Sequence, residues 1–122
     1  MENEKTVILV RNRLERQHCW PKAPAEVMYL RYMHRHVFYI DSEIEVFHDD
    51  RELEFILVQH DIDVLLHNRP WNDSTSCEQL AKIVAQFILK TYGDRDVSVS
   101  VREDNEHGAK YIYNKEKQNE EN

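Results

Sequence analysis

From His34 to Phe47 the side chains alternate in polarity with period two: Phe38, Ile40, Ile44 and Val46 share one parity, and Asp41, Glu43 and Glu45 take the other. A segment patterned this way is a strand with one face buried and the other wet. It demands a sheet covered on one side, with other elements supplying the cover. Residues 6 to 10, Thr-Val-Ile-Leu-Val, are β-branched and apolar and read as a first strand that runs on toward Leu14. Leu53 to Val58, past the polar turn His48 to Arg51, reads as a strand closing a hairpin, followed by a short amphipathic piece from Ile62 to Leu66. Val97, Val99 and Val101 alternate with Ser98, Ser100 and Arg102; a turn at Glu106 to Gly108 then returns Ala109 to Tyr113 as the last strand.

The cover comes from helices. Thr75 with Glu78, or Ser76 with Gln79, has capping-box spacing just before Leu80, Ile83, Val84, Phe87 and Ile88, and Gly93 stops the helix after Lys90. A shorter helix starts at Pro24, with Val27, Leu30 and Tyr29 or Met33 at helical spacing. The expected fold is α+β, an antiparallel sheet with helices on one face. At 122 residues the chain makes one domain, over 1–113, and the tail 114–122 has no apolar residue and is expected to be disordered.

Composition removes several function classes. No run approaches the ~18 apolar residues of a membrane span, and the start of the chain is acidic where a signal peptide is basic and then apolar, so a soluble, cytoplasmic protein is expected. Cys19 and Cys77 are too few and too scattered for a disulfide framework and are read as free thiols. A formal charge of -7 argues against nucleic acid as a partner. Arg11, Arg13 and Arg16 form a local basic stretch, either a solvated strand face or a place for an anion. With Gly93 and Gly108 the only glycines, a glycine-rich phosphate loop is excluded.

The chemistry-bearing candidates cluster around one strand. His34 and His36 lie two apart and project from the face shared with Phe38 and Ile40, an arrangement that suits zinc; the alternative is a pair of partly buried histidines satisfied by hydrogen bonds. His18 follows the first strand and meets the start of the second if the two pair antiparallel; otherwise it is a surface histidine beside Trp20. Glu103 has the parity of Val97, Val99 and Val101, so its carboxylate needs a partner: either the N–H edge of a heterocycle or a salt bridge to Arg102, Lys110 or another strand's arginine. Cys77 sits in the first turn of the main helix, where the macrodipole lowers a thiol pKa; otherwise it and Cys19 are small buried residues.

These residues, in order and spacing, resemble the tunnelling-fold (T-fold) enzymes related to 6-pyruvoyltetrahydropterin synthase and 6-carboxytetrahydropterin synthase. The matching positions are His18, His34-Arg35-His36, the Ser74 to Glu78 helix opening, and Val99 to Glu103 running on to Tyr111, so the resemblance spans roughly residues 6 to 113. It implies a β-β-α-α-β-β protomer whose sheets join into a barrel-shaped homo-oligomer with sites between subunits. It also implies zinc on His18, His34 and His36 and a heterocyclic small molecule anchored by Glu103. The sequence departs from the pattern in four places. Arg35 stands where the family has glycine, placing a cation beside the metal as a ligand contact. Leu30 occupies the position of the catalytic cysteine, with Cys19 the nearest substitute. The Asp-His dyad has only His60-Asp61 and His67-Asn68 as stand-ins, and the stretch for the first helix is short, between Val58 and Pro70. The expectation is a divergent synthase-like protein that binds a pterin, purine or nucleotide-like molecule with zinc and without evident catalytic residues. The alternative is a non-catalytic oligomeric sponge or regulatory protein, of viral or mobile-element kind, that sequesters a nucleotide-like signal or binds a protein partner.

Overall fold

The structure is a computed structural model, and it describes residues 3–115. From residue 116 onward the expected polar tail lies outside the described residues. In chain order the elements are β1 (Thr6–His18), a 3-10 segment (Ala25–Arg31), β2 (His34–Val46), α1 (Phe55–His67), α2 (Cys77–Tyr92), β3 (Val97–Glu103) and β4 (His107–Tyr113). The strands form one sheet in the order β1-β2-β3-β4, every neighbouring pair antiparallel. The architecture is therefore α+β with the order β-β-α-α-β-β, both helices lying on one face.

Two expectations about elements are corrected. Leu53 to Val58 is not a hairpin strand: Glu54 caps a helix there, accepting from the Ile56 N–H at 3.0 Å, and α1 runs thirteen residues from Phe55. Its buried stripe is Val58, Ile62 and Leu66, a spacing of four that continues straight through the supposed strand end. A short, mostly apolar segment is compatible with either state, and only the longer stripe decides. The stretch between Val58 and Pro70 thus accommodates a full helix. The helix expected after Pro24 is instead a 3-10 segment with a kink at Val27 and no buried residue.

Smaller differences have local causes. β1 continues past Leu14 to His18, and the core-facing row there contains Asn12 and Arg16, polar residues that mask the alternation. The β3–β4 turn falls at Asp104 and Asn105, whose φ values of 52° and 60° are the left-handed pair a tight hairpin needs, so β4 begins at His107. Gly108 belongs to the strand, and a Cβ there would lie 1.7 Å from the Val101 carbonyl oxygen. The Ser76 and Gln79 capping box and the Gly93 stop are as expected.

The core lies between the sheet and the helices. Phe38, Ile40, Ile44, Val99 and Val101 meet Ile62 of α1 and Leu80, Val84 and Ile88 of α2, all fully buried. Polar groups on the same face pin the helices in place. Asn12 Nδ2 donates to the Gln59 carbonyl at 3.0 Å and to Asp63 at 2.7 Å, holding α1 on β1. The Arg16 guanidinium donates to the Thr75 carbonyl at 2.6 Å and the Asn72 carbonyl at 3.3 Å, and lies 4.5 Å from the Phe38 ring centroid. This fixes the segment that opens α2 against the end of β1. Among the described residues no helix is long and apolar enough to cross a membrane.

A sheet covered on one face predicts unequal costs for substitutions of opposite parity. Ile40→Ala should cost about 2–5 kcal/mol in denaturant unfolding, and Ser76→Ala about 1 kcal/mol. Leu9→Ala, 71% exposed, should stay within about 0.5 kcal/mol. Equal losses for Ile40 and Leu9 would contradict the buried face described here.

Candidate metal centre

The β1–β2 register brings the histidines together. His18 pairs directly with His34, and His36 is the next residue of β2 on the same face. The ring centroids are 4.4 Å apart for His18 and His34, 4.8 Å for His34 and His36, and 5.2 Å for His18 and His36. One nitrogen from each ring lies within 4.8 Å of the other two, close enough for a single ion to draw all three in. The three can hold a metal ion.

Hydrogen bonds select which nitrogen is offered. His34 Nδ1 lies 2.8 Å from the Tyr32 carbonyl and His36 Nδ1 lies 2.5 Å from Asp104 Oδ2. Both partners only accept when ionised or carbonyl, so each Nδ1 carries a proton, and Nε2 is the atom each ring can offer to a metal. Nε2 of His18 and of His34 is buried and forms no hydrogen bond with any described residue. A buried nitrogen without a partner is costly, and a cation between the rings removes that cost.

Asp104 is held for this task by its turn. In the left-handed conformation it accepts from the Val37 N–H at 3.0 Å through one oxygen and faces His36 with the other. The Val37 N–H, followed by His36, keeps its carboxyl below the usual range. A carboxylate behind a ligating imidazole fixes ring orientation and raises basicity.

Burial, reinforced electrostatically by His34, Arg16 and His36 beside it, lowers the His18 pKa from 6.5 to about 4. His18 is neutral at physiological pH, the state in which an imidazole ligates.

Glu103 closes one side of the group. Its Oε1 stands 3.4 Å from His18 Nε2 and its Oε2 3.8 Å from His36 Nε2. Among the described residues Glu103 makes no salt bridge to Arg102, to Lys110 or to another strand's arginine; Lys110 pairs with Glu43 instead. Cys77 Sγ is 3.9 Å from Glu103 Oε1, and burial followed by that carboxylate pushes the thiol up to about 11. The expected lowering by the helix macrodipole is thus reversed, because desolvation and a nearby negative charge outweigh a partial dipole charge.

In front of these groups lies a cavity of about 600 Å³. His18, His34, Cys77 and Glu103 line it, as do Cys19 and Leu30. Other candidates are placed elsewhere. Arg35 is exposed, alternates to the opposite face of β2 from its histidine neighbours, and lines a different cavity, so it is not beside the three rings as expected. Arg11 forks onto Asp41 at 2.7 and 2.9 Å on the wet face, and Arg13 is exposed there. His60 and His67 are exposed on α1, and Asp61 instead accepts from the Tyr92 hydroxyl at 2.5 Å. Asp104 was not singled out in the sequence; its signal is an Asp-Asn turn directly after Glu103. No family model matches the chain, and no curated protein matches it.

The His18 shift sets an acid limit on the chelated protein. Between pH 6.5 and about 4 the unfolded chain binds a proton that the folded chain does not. Stability is therefore full above that window and falls through it, by on the order of 3 kcal/mol. Urea unfolding across the window should show this slope, and His18→Gln should lack it. Iodoacetamide should alkylate Cys77 slowly at pH 8 and faster in Glu103→Gln; equal rates would show that the carboxylate does not act on the thiol.

Proposed function

We propose that the chain is a divergent T-fold protein related to the pterin synthases, and that it holds a pterin-like or purine-like small molecule beside a zinc ion. The observation that carries this reading is the clustering of three imidazoles within 4.8 Å of one another, two of them with buried Nε2 atoms that form no hydrogen bond, next to a carboxylate and an open cavity. An all-nitrogen set of three ligands suits zinc and leaves a fourth position for a ligand or water. When bound, the metal supplies charge that favours a ligand oxygen or nitrogen. Asp104 orients His36, and Glu103 offers two acceptor oxygens to adjacent N–H groups of a heterocycle edge.

Binding is favoured over conversion by the state of the groups around the cavity. Leu30 stands at the position of the family's nucleophile, and the thiol of Cys77 is held protonated far above neutral pH. The His60 and His67 stand-ins for the proton relay lie on the exposed side of α1. The family's homo-oligomeric barrel belongs to the same proposal, and the open edges of β1 and β4 support it, since each leaves a row of backbone groups for another chain.

Protein prepared without chelator should contain about one zinc per chain, measured by mass spectrometry. Asp104→Ala should weaken zinc affinity by roughly 10–100-fold, and the His34→Ala, His36→Ala double variant should abolish it. Glu103→Gln should retain zinc but lose the thermal shift given by pterins or purines. Absence of metal after gentle purification, or a screen of these heterocycles with no shift, would overturn the reading.

A further inference from the structure

A second cavity, of about 710 Å³, opens where β1 and the start of β2 meet the segment after α1. It lies apart from the histidine centre. Arg16, Arg35 and Arg69 line it together with Trp71, and the acidic groups on its wall are Glu15 and Asp73. In a chain of formal charge -7, gathering three guanidiniums around one hollow is contrary to the average surface.

The arginines lining the hollow, like Arg13, Arg31 and Arg102, have no carboxylate partner among the described residues, whereas three others do. Arg11, Arg51 and Arg95 are each paired with a carboxylate: Asp41, Asp50 and Glu52. The guanidinium groups of Arg35 and Arg69 have no hydrogen bond or ion pair with any described residue. Arg16 is 92% buried and its Nε has no partner, although its other nitrogens donate to the Asn72 and Thr75 carbonyls. Arg69 also occupies an unfavourable backbone position. It follows the α1 cap residue Asn68 with φ 51°, its N–H donating to the Leu66 carbonyl at 3.1 Å, a place where glycine is the unstrained choice. Backbone strain kept under a charged side chain points toward a task for that side chain.

We infer that this cavity is an anion site for a phosphate-bearing small molecule, with Arg35 and Arg69 as the clamp and Arg16 as the fixed buried donor. A lone carboxylate is satisfied by one guanidinium fork, whereas a pyrophosphate-type group has the charge and acceptor count for several. Trp71, stacked 5.8 Å from the Arg16 guanidinium, gives the cavity an aromatic wall for the rest of the molecule. The site is independent of the proposed zinc centre and stands if that centre fails.

The test is calorimetric titration of the full chain, stripped of metal by chelator and dialysed, with inorganic pyrophosphate and with GTP, guanosine serving as control. Both phosphates should bind, guanosine should not, and Arg35→Gln or Arg69→Gly should weaken binding by roughly tenfold or more. Arg69→Gly relieves the left-handed strain, so its Tm should equal or exceed that of the parent while binding is lost. The His34→Ala, His36→Ala variant should bind as the parent does, and added salt should weaken every interaction. Three results would overturn the assignment: no binding up to about 1 mM, arginine variants that bind normally, or binding lost only with the histidines. A lower Tm with unchanged affinity in Arg69→Gly would show that Arg69 merely complements the α1 dipole, and would also overturn it.

Discussion

The antiparallel register of β1 on β2 is the constraint on which the rest depends. It pairs thirteen residues from Thr6 with Val46 to His18 with His34. A slip of one residue would turn Phe38, Ile40 and Ile44 out of the core and would move His18 off the face of His34 and His36. The same alternation that buries the apolar row therefore assembles the imidazoles. Fold and candidate site are specified by one pairing, and damage to either reaches the other.

Along β1 the core-facing row changes character, from Ile8 and Val10 through Asn12, Leu14 and Arg16 to His18. Each polar group placed there is expensive unless it is satisfied. Asn12 is satisfied by α1, and most of Arg16 by the segment that opens α2. At His18 the compensation weakens: Nε2 forms no hydrogen bond and has the Glu103 carboxylate 3.4 Å away. Phe38 marks the boundary: above it the core is apolar, and around its ring stand His18, at 5.2 Å, His36, at 6.3 Å, and Arg16, at 4.5 Å. The candidate metal centre lies at the end of the sheet where the core-facing row turns polar.

Arg16 lines one cavity only, and its charge is felt at the edge of the other. Its guanidinium lines the arginine hollow, while its charge contributes to holding the His18 pKa down. The two cavities are electrostatically opposite in design. The histidine centre gathers neutral lone pairs and a carboxylate, which suit a cation; the hollow beside it gathers cations with few counter-charges, which suit an anion.

Period-two alternation makes β2 and β3 readable from residues alone, and the capping box and Gly93 do the same for α2, because these signals are local and physically single-valued. Shared parity likewise places His34 with His36 and puts Glu103 toward the covered face. Local pattern is silent wherever two states share a signal: Leu53 to Val58 suits strand or helix until α1 packs, and the polar residues of β1 conceal its length. It also cannot set distances between segments far apart in the chain. That Asp104 backs His36, that Glu103 faces histidines in preference to lysine, that Cys77 is a suppressed thiol, and that Arg35 and Arg69 line one cavity depend on sheet order and on desolvation. Those are properties of the assembled structure, because burial and long-range proximity exist only once β1, β2 and β3 lie side by side beneath the helices.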